Sequence, residues 1–287
     1  LFFVTRWSQQ YEWSGDESGG GRAAATQSDG GGGGASPSSG PSAAGPSGTG
    51  PSGTGAMGGG AASGQTGRST SLQTLVDNLS GPVEGAVAGK IDSLRATLEG
   101  AEGDRQRQLR AQLVRLYIGA GVPGRAALVQ SKLADQSGRV ADRRRTANLL
   151  YKWMRQVESQ GDRAKVADVA RHVADAYASV VEQRPDDLDA RTRMGEAYLL
   201  TNNPMNGIRA INQVLEDDST FVPARFQKGL ALLQINRLDQ AVRQFERVMR
   251  HASQEDPFYQ QAKRAIEVIR EQSSSNRGST RSTQPQS

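Results

Sequence analysis

Two histidines, His172 and His251, are the imidazoles of this 287-residue chain, and it has no cysteine. Disulfides, thiolate metal sites and a cysteine nucleophile are thereby excluded. His172 could serve as a base or a ligand only with a carboxylate in reach. Asp168 at i−4 and Asp175 at i+3 stand at helical spacing from it, but such pairs are usually solvated and contribute roughly a few tenths of a kcal/mol. His251 falls in the last turn of a helical segment, where a cation complements the helix dipole. The glycine run at 30–34 is not followed by the Gly-Lys-Ser/Thr of a phosphate loop. No serine elbow and no motif-fixed acid pair occurs. The residues imply a non-catalytic protein with no cofactor and no metal site.

Charge is the other chemistry on offer. The net charge is +5 and the pI about 9.7, which permits nucleic acid without demanding it. The densest basic cluster is Arg139, Arg143, Arg144, Arg145, Lys152 and Arg155, with Tyr151 and Trp153 interleaved. At helical spacing Arg144, Lys152 and Arg155 gather, while Arg143 and Arg145 splay to either side. Arg139, Arg143, Arg144, Lys152 and Arg155 are thus the candidates for a basic face meeting RNA or an acidic partner. A solvated face is the simpler reading.

The elements that must position these residues follow from composition. Hydrophobic residues make up 36%, against about 45–50% in ordinary globular chains, and the deficit is local. Residues 14–71 contain no Leu, Ile, Val, Phe, Tyr or Trp, and 15–67 hold 20 of the 34 glycines. Such a stretch cannot offset its chain entropy by burial, so 15–71 is expected to be a disordered linker. Residues 1–14 carry five of the 15 aromatics, Trp7, Tyr11 and Trp13 among them. They read either as the remnant of a membrane anchor with an interfacial aromatic belt or as an aromatic end without that role. No run of 18 apolar residues is present to span a membrane by itself. An anchor would place the protein in the cell envelope with its folded part outside the cytoplasm; otherwise it is cytoplasmic.

From Leu72 the pattern is helical. Leu72, Leu75, Val76 and Leu79 precede Ser80-Gly81-Pro82, and Val83, Val87, Ile91, Leu94 and Leu98 then form a narrow stripe. This 72–103 segment is expected to pack on the downstream domain, or to pair with a copy of itself as a coiled coil. Helical segments follow at about 104–118, 123–136, 139–160, 163–183, 188–201, 204–217, 222–235, 238–252 and 257–271, parted by Gly121, Pro123, Gly161, Pro185, Pro204 and Pro257. The last should cap the array, with a disordered tail from 272.

Periodicity is the decisive feature. Gly195 and Gly229 lie 34 residues apart, and 191–198 (RTRMGEAY) aligns with 225–232 (RFQKGLAL). Both units break, at Asn202-Asn203 and Asn236-Arg237, and continue into Gly207…Ile211…Val214 and Ala241…Phe245…Val248. This resembles the tetratricopeptide repeat family, with looser units upstream. The resemblance implies an all-α antiparallel helix-hairpin solenoid over 104–271 that binds another protein or peptide, or a second copy of itself. Small residues would let paired helices approach closely, so Gly229→Leu should overpack while Gly229→Ala is expected to be tolerated. The resemblance also implies a groove lined by the first helix of each pair. Its candidate partner-binding residues are Thr192, Glu196, Leu199, Phe226, Leu230 and Leu233. The Lys and Asn of a peptide-carboxylate clamp are absent, which favours an apolar peptide.

Overall fold

Proline and glycine cut the chain where the sequence pattern places the breaks. The computed structural model describes residues 70–281, with side chains as far as Gln272. The expected anchor remnant, most of the linker and residues 282–287 lie outside the described residues. Eleven helices follow one another within them: α1 Leu72–Leu79, α2 Ala86–Glu99, α3 Gly103–Gly119, α4 Pro123–Ser137, α5 Val140–Ser159, α6 Arg163–Gln183, α7 Leu188–Leu199, α8 Pro204–Asp217, α9 Val222–Gln234, α10 Leu238–His251 and α11 Pro257–Arg281.

Local chemistry fixes their ends. Pro123, Pro204 and Pro223 occupy first-turn positions, where the missing N–H costs nothing. The Asp162 carboxylate accepts from the amides of Ala164 and Lys165, and Asp187 accepts from Ala190, so both cap helix N-termini. Gly138 closes α4 at φ 63°, a left-handed conformation suited to glycine. α11 continues to Arg281, ten residues past the expected helix end at 271. No proline interrupts that run, and its added turns carry no apolar residue.

From α3 to α11 each helix packs on the next, and α9 also touches α7 and α11. The result is an all-α antiparallel helix-hairpin solenoid, with α3/α4, α5/α6, α7/α8 and α9/α10 as hairpins and α11 as the cap. α9 meets α7 on one side and α11 on the other, so first helices neighbour one another in the later units, as in a stacked repeat. The hydrophobic interior is segmented. One cluster runs from Leu75 and Val76 of α1 through Trp153, Tyr177 and Ala197; a second joins Leu199, Ile211, Val214, Ala224 and Ala231; a third joins Phe226, Phe245, Ile266 and Ile269.

The 72–103 segment packs on the downstream domain, as expected: Leu75, Val76 and Ile91 share the first cluster with α3–α7. Its apolar stripe packs on α3 of the same chain and is not a free coiled-coil seam. α1 itself docks on α4 and α6. Gly229 has less room than expected: a Cβ there would lie 2.6 Å from the ring of Phe245, which is fully buried, so even alanine forces a shift. In the preceding hairpin glycine meets glycine, and a Cβ on Gly207 would sit 2.5 Å from the Gly195 carbonyl oxygen.

Candidate functional site: a cleft along the first helices

One stripe of α5 carries Arg144, Asn148, Tyr151 and Arg155, at i, i+4, i+7 and i+11. Each finds a partner outside its own turn. Arg144 pairs with Asp187 ahead of α7. Asn148 Oδ1 accepts from the Tyr177 hydroxyl of α6 at 2.7 Å. Tyr151 donates to Glu196 Oε1 on α7 at 2.9 Å, and its ring lies 4.7 Å beneath the Arg193 guanidinium. Arg155 donates to Glu158 Oε2 at 2.6 Å and stands 4.0 Å from Glu196. Burial, reinforced by the Glu196 carboxylate, pushes the Tyr151 phenol well above its ordinary range, and burial raises Tyr177 to about 12. Both phenols are therefore fixed as donors, and the ladder ties α5, α6 and α7 together.

Beside this ladder runs a cleft of about 60 Å³ lined by residues of α5, α7, α9 and α11. Arg155, Glu158 and Glu196 form its charged wall. Leu199, Leu200, Phe226 and Leu230 form the apolar wall, with Gln227, Gln234 and Gln261 at its margins. The volume falls far below the roughly 300–1,000 Å³ of a small-molecule pocket. It suits one side chain of a larger ligand lying across the helices.

The groove candidates divide. Glu196, Leu199, Phe226 and Leu230 line the cleft. Thr192 does not, because it is buried with its hydroxyl donated to the Leu188 carbonyl at 2.7 Å. Leu233 packs instead on the terminal cluster. Phe226 packs tilted against Phe245 and edge-on against Phe258, at ring-centre distances of 5.5 and 5.4 Å, and is 4% exposed. Gln261, Glu158 and the cleft-facing role of Arg155 are not signalled by the repeat pattern, though the polar stripe on α5 marks Arg155.

The basic-face candidates are dispersed by pairing. Arg139 pairs with Asp142, Arg144 with Asp187, and Arg155 with Glu158. The guanidinium of Arg143 is partly enclosed, with a buried Nε that lacks a partner, and Lys152 is exposed. Trp153 is buried and lies against Gly124, so it offers no stacking surface. His172 donates from Nε2 to the Thr70 carbonyl at 2.9 Å, a structural contact, while Asp168 pairs with Arg171. Among the described residues no group of three His, Cys, Asp or Glu is placed to hold a metal, and no helix is long and apolar enough to cross a membrane. A broader hollow of about 640 Å³ between α2 and α3 is a shallow open depression. Its charged groups are Lys90 and Arg115, and no carboxylate lines it, so the cleft is the better candidate.

No family model and no curated protein matches the chain. Among solved structures, a crystal structure of MamA is 16% identical, with 57% of this chain and 88% of that one covered and a TM-score of 0.42. A structure described as MamA MSR-1 C2 is 17% identical over 61% and 91%, with a TM-score of 0.39. The P58(IPK) TPR domain is 15% identical over 70% and 55%, with a TM-score of 0.31. At such values the architecture rests on the helix packing itself.

Proposed function

We propose that this chain is a non-catalytic interaction scaffold that holds a peptide segment of a partner protein across its first helices. The observation that supports this reading is the single cleft to which α5, α7, α9 and α11 all contribute, charged on one wall and apolar on the other. Two carboxylates against one guanidinium make the charged wall net acidic. The fitting segment therefore carries a large apolar residue for Leu199, Phe226 and Leu230, flanked by a lysine or arginine for Glu158 and Glu196. Selection of a random peptide library on the full chain tests this. Enriched peptides should show that apolar–basic pair and bind Leu230→Ala about thirtyfold more weakly, the effect of losing an apolar hot spot of about 2 kcal/mol. Enriched peptides that bind Leu230→Ala and Glu196→Gln as tightly as the parent chain would place the binding surface elsewhere.

The aromatic segment 1–14 and the glycine-rich 15–71 support a further part of the proposal. The repeats work on a tether from an envelope membrane, facing away from the cytoplasm, with a cytoplasmic adaptor as the alternative. Cell fractionation of the full-length protein decides between them, since a tethered form sediments with membranes and resists a high-salt wash.

A further inference from the structure

The face of α9 turned away from the cleft carries an unused cationic cluster. Ala224 and Ala231 of α9 join the cluster shared with α8, and Gly229 faces Phe245 of α10. Arg225 and Lys228 lie in the helical sector between, above the seam where α9 fills the space between α8 and α10. Arg225 is 6% exposed, donates one bond to Gln244 Oε1 on α10 at 3.2 Å, and has a buried Nε with no partner. One turn beyond Gln244 stands Arg247, followed by Arg250, both exposed. α9 and α10 are antiparallel, so Arg247 and Arg250 follow Gln244 back past Arg225 toward the start of α9, and the charge of Arg247 reaches both Arg225 and Lys228. None of the four cations is in an ion pair among the described residues. Burial lowers the pKa of Arg225, with repulsion from Arg247 and Arg250 adding to it. Burial likewise lowers Lys228, helped by Arg225 and Arg247. A charge that is buried, half-bonded and crowded by like charges is costly to keep without an anion.

We propose that this cluster is a second binding site, which takes an acidic peptide segment with its carboxylates seated among Arg225, Lys228, Arg247 and Arg250. The surroundings favour a short acidic peptide over nucleic acid. The cations occupy one or two turns of two helices instead of a long stripe. Carboxylates border them: Asp218 acts on Arg225 and Glu216 on Lys228, while the neighbouring Asp217 and Glu246 are paired with Arg191 and Arg270. A polynucleotide, charged at every residue, would meet those carboxylates on leaving the cluster; a few clustered side-chain carboxylates would not.

Fluorescence anisotropy of a labelled peptide with three successive glutamates flanked by Gly-Ser on both sides tests the site on the full chain. Binding should saturate, weaken as salt rises, and drop about tenfold or more in Arg247→Gln with Arg250→Gln. Both side chains are exposed, so that double variant should melt like the parent. Lys263→Gln, an exposed cation of α11 outside the cluster, should leave binding unchanged. Equal binding of the triglutamate peptide by parent and double variant, or no saturable binding at all, overturns the proposal. So does tighter binding of an eight-nucleotide oligothymidylate that shows the same dependence on Arg247 and Arg250, since the site would then serve nucleic acid.

Discussion

Gly207 shows how finely the closest contacts are set. A methyl group there would meet backbone, the Gly195 carbonyl and the Leu199 amide, and backbone cannot rotate away as a side-chain end can. Gly207→Ala should therefore destabilise by about 1–3 kcal/mol or more, and more than Gly195→Ala, whose methyl group would first meet the Ile211 side chain. Gly89→Ala, in open space within α2, should instead stabilise by about 0.5–1 kcal/mol. Thermal melts of the three variants give the order, and equal shifts at 207 and 89 would remove the steric reading. The buried phenols make a second residue-level expectation. Their folded pKa values lie above the unfolded value of about 10, so the stability they contribute is complete below that pH and is lost as pH rises through the folded values, about 12 for Tyr177. In an absorbance titration of the six tyrosines, Tyr151 and Tyr177 should ionise together with unfolding, and their phenylalanine variants should lose that late phase. Individual partners of this kind were the least legible part of the sequence. Tyr151 and Glu196 are 45 residues apart and His172 and Thr70 are 102 apart, separations at which helical spacing says nothing.

At the scale of elements the sequence was more readable, because breaks are local chemistry. Pro123, Pro204, Gly161 and Asp187 each end or begin a helix by their own geometry, and the 34-residue step between Gly195 and Gly229 carried the hairpin register. What a helix packs against is not local, so the pattern of 72–79 gives an amphipathic helix that should pack on the downstream domain but does not say that its partners are α4 and α6. Leu75 and Val76 are almost fully buried against α4 and α6, so Leu75→Ala should cost about 2–5 kcal/mol. Limited proteolysis should give a resistant fragment beginning near Ser71 in the parent chain and near Gly85 in that variant; a parent fragment beginning past Glu99 would mean that α1 is not docked. The α4–α5 junction turns on Asp142. Burial pushes its carboxyl up, but bonds from Ser137 at 2.6 Å and Arg139 at 2.8 Å outweigh that and hold it below its ordinary value. A depressed carboxylate stabilises the fold above its unfolded pKa, about 3.9, and that contribution is lost as pH falls through the folded value. Asp142→Asn should thus unfold at lower urea than the parent at pH 7, with the gap closing near pH 2.

The whole molecule is a series of cores, and its groove is the property of several of them at once. Since the terminal cluster of Phe226, Phe245, Ile266 and Ile269 is separate from the one around Tyr177, opening need not be all-or-none. Ile266→Ala should raise amide hydrogen exchange in α10 and α11 while leaving α5 and α6 unchanged; uniform acceleration would show one cooperative unit. The groove was half legible for the same reason. Glu196, Leu199, Phe226 and Leu230 came from the resemblance to tetratricopeptide repeats, whereas the α5 and α11 contributions depend on which helices stack. If the proposed tether holds the chain by its N-terminal side, the docking of α1 has a consequence. Tension applied ahead of Thr70 reaches the Thr70–His172 hydrogen bond and α1 before any hairpin. Eight helical residues with two deeply buried side chains are then peeled off one contact at a time, and Arg125, which donates to the Ser80 carbonyl at 3.4 Å, forms the next stop. α1 would yield as a fuse, lengthening the leash by a few nanometres while the repeats and their cleft stay intact.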